Sequence, residues 1–109
     1  MTRARAFLRK ARWDKPGRLI VAPTPGGLKA RAVRLTAGSV MEWHSTGARE
    51  EFLLVMEGRC MVEARVASSA ARLRRLALSA GACAYLSRNV DHRVLQQGKD
   101  AVLYVYVTG

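Results

Sequence analysis

Apolar residues in this chain come in short runs, each stopped by glycine, proline or a small polar cluster. Leu19, Ile20 and Val21 form the first. A strand is expected over 28–35, LKARAVRL, where apolar and polar positions alternate imperfectly. Further strands are expected over 40–46, 51–56, 59–66, 72–78, 82–86, 92–96 and 101–107. Turn residues separate them, among them Pro23, Pro25, Gly26 and Gly27, then Thr36-Ala37-Gly38, then Ser79-Ala80-Gly81. Glu57-Gly58 reads as a two-residue hairpin, because glycine supplies the positive φ, with 59–66 pairing back on 51–56. The arginines of RLRRLAL mark that run as an edge strand. No segment carries an apolar repeat of about 3.6 residues. About nine or ten short strands with regularly spaced turns predict an all-β sandwich or barrel.

Two runs, FLLVM at 52–56 and AVLYVYV at 101–107, are apolar on both faces. One face can fill a barrel. The other needs a second sheet or a second subunit to cover it, so a homodimer is expected.

The 109 residues suffice for one domain. A chain of that size buries roughly 65% of its unfolded surface. Half of the residues are hydrophobic, which argues for a globular chain. Residues 1–18 read as a basic arm and 19–109 as the barrel domain. The opening MTRARAFLRKARW lacks the apolar stretch of a secretory signal, and no run approaches the ~20 apolar residues of a membrane span. The reading is a cytoplasmic protein with no membrane partner. Cys60 and Cys83 form no CxxC pair and are expected as two buried free thiols.

The net charge is +11, mostly from arginine. Such a charge suits nucleic acid or an anionic small ligand. The basic residues are scattered, however, with no helical stripe and no interleaved aromatics. Nucleic acid is therefore not the expected partner, and a small molecule is.

The only two histidines stand in segments of similar build. Residues two apart on a strand share a face. His44 then shares one with Thr46, Glu51 with Leu53 and Val55, and His92 with Val94 and Gln96. If these faces all look into one barrel, His44, Glu51 and His92 converge, with Thr46 and Gln96 as polar pocket-lining neighbours. Two imidazoles and a carboxylate form the facial set that leaves coordination positions open, suited to Fe, Mn, Ni, Zn or Cu. Hydrogen-bonded core histidines and a charge at a strand start would give the same spacing.

Residues 38–58 resemble the first motif of the cupin superfamily. Gly38, five residues, His44, one residue, Thr46, four residues, Glu51, six residues and Gly58 follow its frame. Thr46 stands where the family has a second histidine. Residues 81–96 resemble the second motif through Gly81 and His92, with Ser87, Asn89 and Gln96 replacing its proline, glycine and asparagine. Asn89 tolerates the left-handed backbone. The intermotif stretch 59–80 is short, as in small single-domain bacterial cupins. The resemblance implies a jelly-roll barrel, often dimeric and exchanging N-terminal strands. It also implies a divalent metal on His44, Glu51 and His92, with the fourth place vacated by Thr46. Cupin precedents are dioxygenases, isomerases and decarboxylases. The alternative is a non-catalytic ligand-binding or sensing module. Tyr85, Tyr104 and Tyr106 are further pocket candidates.

Overall fold

In the computed structural model, the described residues are 12–15, 18–20, 26–66 and 72–109, and for 12–15 and 18–20 only the backbone. Ten strands are formed among them: β1 Arg12–Lys15, β2 Arg18–Ile20, β3 Lys29–Leu35, β4 Val40–Ser45, β5 Glu51–Glu57, β6 Arg59–Val66, β7 Arg74–Ser79, β8 Cys83–Leu86, β9 Val90–Gln97 and β10 Val102–Thr108. They build a six-stranded sheet, β1-β2-β3-β10-β5-β8, and a four-stranded sheet, β4-β9-β6-β7. All pairings are antiparallel. From β3 to β6 the chain crosses between sheets at every turn, which is the expected all-β jelly roll. No helix of the described residues is long and apolar enough to cross a membrane.

One expected pairing is absent. Glu57-Gly58 does not close a hairpin: β5 pairs with β10 and β8, whereas β6 pairs with β7 and β9. Gly58 has the positive φ, 78°, that the dipeptide suggests. Its bend carries the chain across the barrel rather than back along the same sheet.

The strand alternation is clear where it matters. On β5, Glu51, Leu53 and Val55 are buried and Phe52, Leu54 and Met56 are exposed. The core joins Leu53, Val55, Val102 and Tyr104 of one sheet to Cys60, Val62 and Val94 of the other. Within the arm, β1 pairs with β2, and β2 with β3, so this part extends the six-stranded sheet. Residues 1–11 lie outside the described set, as does the SSA turn at 68–70.

The expectation of two buried thiols holds for one of them. Both cysteines are free, but only Cys60 is buried. Cys83 opens β8 opposite Leu54, on the outer face. Burial pushes the Cys60 thiol up to about 11, so it is protonated and unreactive at neutral pH.

The outer face of the four-stranded sheet carries a charged knot with no counterpart in the sequence pattern. Glu63 is 4% exposed, and the guanidiniums of Arg75 (2.6 Å) and Arg93 donate to it. Arg93 and Arg65 also lie over the Trp43 ring, at 5.0 and 4.7 Å. The hydrogen bonds from Arg75 and then Arg93 hold the Glu63 carboxyl below its usual range. A depressed folded value means stability present above the unfolded pKa, about 4.3, and lost as pH falls through the folded one. Thermal melts from pH 7 to 3 should show wild type above Glu63→Gln, with the gap closing in the acid range. A gap independent of pH would show that the ionised carboxylate contributes nothing.

Candidate metal centre

Sequence parity alone would put His44 on the wrong side of its strand. Met41 lines the barrel interior, and three residues on, His44 should face out. The register between β4 and β9 shows why it does not. Met41 pairs with Val94 and His44 with His92, so Glu42 and Trp43 together oppose Arg93. This β-bulge turns Trp43 out onto the arginines and swings His44 in. His44 and His92 thereby become direct cross-strand partners, with ring centroids 4.1 Å apart.

Glu51 comes from the opposite sheet, as the first inward residue of β5. Its Oε2 lies 3.3 Å from His92 Nε2. Both side chains are nearly inaccessible, while His44 sits at the open side of the group. The three residues each offer a ligand atom, all within 4.8 Å of one another. The sequence expectation that His44, Glu51 and His92 converge is what the structure shows.

The donor set fits a metal on two observations. His44 Nδ1 donates to the carbonyl of Glu42 at 2.9 Å, which leaves Nε2 as the lone-pair nitrogen. Metal-binding histidines are oriented by such a second bond. His92 turns Nε2 towards Glu51 in the group, so that nitrogen is the one placed to hold an ion, while Nδ1 is buried with no hydrogen-bond partner among the described residues. Glu51 Oε2 and His92 Nε2, 3.3 Å apart, already have the spacing of about 3.0–3.4 Å that neighbouring donors would need around one ion, so closing the set would take a shift of His44. Exposed His44 is free to make it. The space at the centre is about 10 Å³, walled by Met41, Leu53, Val94, Tyr104 and Tyr106. That holds one ion or water. Tyr104 is neutral there, since burial, Tyr106, Glu51 and Cys60 all raise its phenol.

Thr46 and Gln96, expected as pocket-lining residues, are elsewhere. Thr46 Oγ1 donates to Ser87 O at 2.7 Å and accepts from Val90 N at 3.1 Å. It clamps the 87–90 loop and draws Val90 into β9, which is why that strand starts two residues earlier than expected. Gln96 is consumed by backbone. Its Oε1 accepts from Gly38 N at 2.8 Å, and Nε2 lies within 3.0 Å of the carbonyls of Gln97, Gly98 and Asp100. Tyr85 is also outside the cavity, packed on Phe52 and donating to Glu50. Asn89 does take the left-handed backbone, at φ 57°. Tyr104 and Tyr106, also expected as pocket residues, do line the cavity. The Glu42 carbonyl has no signal in the sequence, since nothing in residue type marks a backbone oxygen.

No family model matches the chain, and no curated protein matches it either. Solved structures do. The Schizosaccharomyces pombe Cnp3 cupin domain superposes with a TM-score of 0.72 at 13% identity, covering 84% of this chain and 59% of that one. The Drosophila melanogaster CENP-C cupin domain gives 0.77 at 13% identity, covering 100% and 80%. An oxalate oxidase gives 0.72 at 22% identity, covering 92% and 55%. This chain thus spans less than two thirds of the Cnp3 and oxalate oxidase chains. This chain shares the fold of these cupin structures.

Proposed function

We propose that this cupin-fold chain holds one divalent transition-metal ion on His44, Glu51 and His92. The observation that carries the reading is the convergence of two imidazoles and a carboxylate around a space of one ion's size. Such an ion would supply Lewis acidity or one-electron chemistry at its open positions, as in the oxygenase- or isomerase-like reactions of cupins. The chain's own part is definable. The Glu42 carbonyl fixes the His44 tautomer, Glu51 holds His92, and Leu53, Val94 and Tyr104 keep bulk water out. Metal analysis of tag-free protein after incubation with Fe, Mn, Ni, Zn or Cu tests it, with about one ion per chain expected. Protein that stays empty with all five removes the reading.

A second reading is a non-catalytic small-ligand or sensing module whose ligand sits outside this cavity, and the cavity's size favours it. At about 10 Å³ the cavity has no room for an organic substrate beside the ion.

The homodimer belongs to the proposal too. Phe52, Leu54, Met56 and Tyr85 are exposed on adjacent strands of the six-stranded sheet, a row that a second copy would cover. Sedimentation equilibrium should read twice the chain mass, falling to one chain for Phe52→Glu. A wild-type monomer at high concentration would exclude it.

A further inference from the structure

The inner face of the four-stranded sheet reads straight across its register. His44, His92, Ala64 and Arg74 are successive partners on β4, β9, β6 and β7. Strands stand about 4.8 Å apart, so Arg74 starts about 10 Å from His92. One row along come Val94, Val62 and Leu76. All these positions face the other sheet and should be covered by it. Leu78 is, at 6% exposed, but Leu76 on the same face is 50% exposed. β7 is the edge of its sheet and β8 the edge of the other, and between them the barrel gapes.

The opening is a cleft of about 370 Å³ with an apolar floor of Val62, Ala64, Ala84, Leu86 and Val90 and with Arg74 at its mouth. That volume falls in the range of small-molecule sites, roughly 300–1,000 Å³. The cleft is separate from the metal cavity, since His44, Glu51 and His92 do not line it. Ala64, the partner of His92, and Leu86, the partner of Glu51, stand next to the ligands in the register.

Charge distinguishes the mouth from the floor. Arg75 is paired with Glu63 on the outer face, but Arg74 has no carboxylate partner among the described residues. Arg65, Arg72 and Arg74 line an adjoining hollow together with Val66, and among the described residues no acid lines either space. The Arg65 guanidinium is taken up by the Trp43 ring, so Arg72 and Arg74 are the cations that raise the positive potential at the mouth. A neutral ligand would leave that potential unanswered, and an inorganic anion would leave the apolar floor wet.

We propose that the cleft between β7 and β8 binds a small amphipathic carboxylate, its apolar body on Val62, Ala64 and Leu86 and its head on the Arg74 fork. This inference does not rest on the metal reading, because the cleft is complete without an ion.

Calorimetric titration of tag-free protein, once after chelator treatment and once after metal loading, tests it with octanoate, octanol and inorganic phosphate as probes. Octanoate should bind in both states, with octanol and phosphate each at least about ten-fold weaker. Arg74→Gln, an exposed substitution, should weaken octanoate about ten-fold and leave octanol unchanged. Leu76→Asp should weaken both. Equal affinity for octanol and octanoate, or no effect of Arg74→Gln, overturns the carboxylate. Phosphate as tight as octanoate overturns the apolar component, and no octanoate binding at millimolar concentration overturns the site. Metal content is read separately on the same samples, so protein that stays metal-free after loading yet binds octanoate sinks the metal reading alone.

Discussion

His44→Ala protein is expected to carry about a tenth or less of the metal bound by wild type, with an unchanged melting temperature in chelator. The two halves of that result follow from where His44 sits. It contributes one of three protein donors, and loss even of a residue that merely orients a ligand costs 10- to 100-fold in affinity. It is also exposed, so truncation opens no core cavity. His92→Ala would remove metal as well, but less cleanly. His92 is 1% exposed, and its loss leaves both a void and a buried Glu51 without its partner. Glu51→Gln keeps the shape beside His92 while removing the charge, and should bind metal about as poorly as His44→Ala. Affinity in wild type should fall towards acid pH, as protons compete for the imidazoles. Wild-type metal content in His44→Ala would show that the ion sits elsewhere.

How much of this was legible before the structure depends on the kind of question asked. Strand existence was readable nearly everywhere, because short apolar runs bounded by glycine have few other uses. Residues 59–66 match β6 at both ends. The partner of a strand was not readable. Glu57-Gly58 announces a tight bend with positive φ, and that holds whether the chain returns along its own sheet or crosses to the other. The crossing is decided by what lies beside the bend, here Ala101 and Val102, more than forty residues away.

The convergence of His44, Glu51 and His92 was legible in the spacing of the cupin frame, whereas strand parity counted from Met41 would turn His44 outward. A bulge between Met41 and His44 is a backbone event, and it leaves no mark in residue type. Thr46 and Gln96 show the opposite failure. Their polarity was correctly noted, but short polar side chains beside loops are captured by backbone groups in preference to a cavity. Glu63 went unnoticed for the related reason that its two arginines come from neighbouring strands, at positions that only the register brings together.

Two glycines of the cupin frame now separate into different kinds. Gly38 and Gly58 have nearly the same backbone angle, φ 79° and 78°. A side chain at Gly38 would meet nothing within 4 Å. Gly38→Ala should therefore cost only the left-handed penalty, ~1–2 kcal/mol. A Cβ at Gly58 would overlap the carbonyl oxygen of Ala101 and stand 3.0 Å from Val102 Cα. Backbone cannot step aside as a flexible side chain can, and Val102 is fully buried at the start of β10. Relieving the overlap means moving β10, which pairs with both β3 and β5. Overpacking of this kind adds ~1–3 kcal/mol, so Gly58→Ala should lose about 2–5 kcal/mol in all. That is a large part of a small domain's stability, ~5–15 kcal/mol. Urea unfolding of the two variants beside wild type measures both. Equal losses would mean that only the φ angle is demanded at Gly58, and that the chain crosses between the sheets with room to spare.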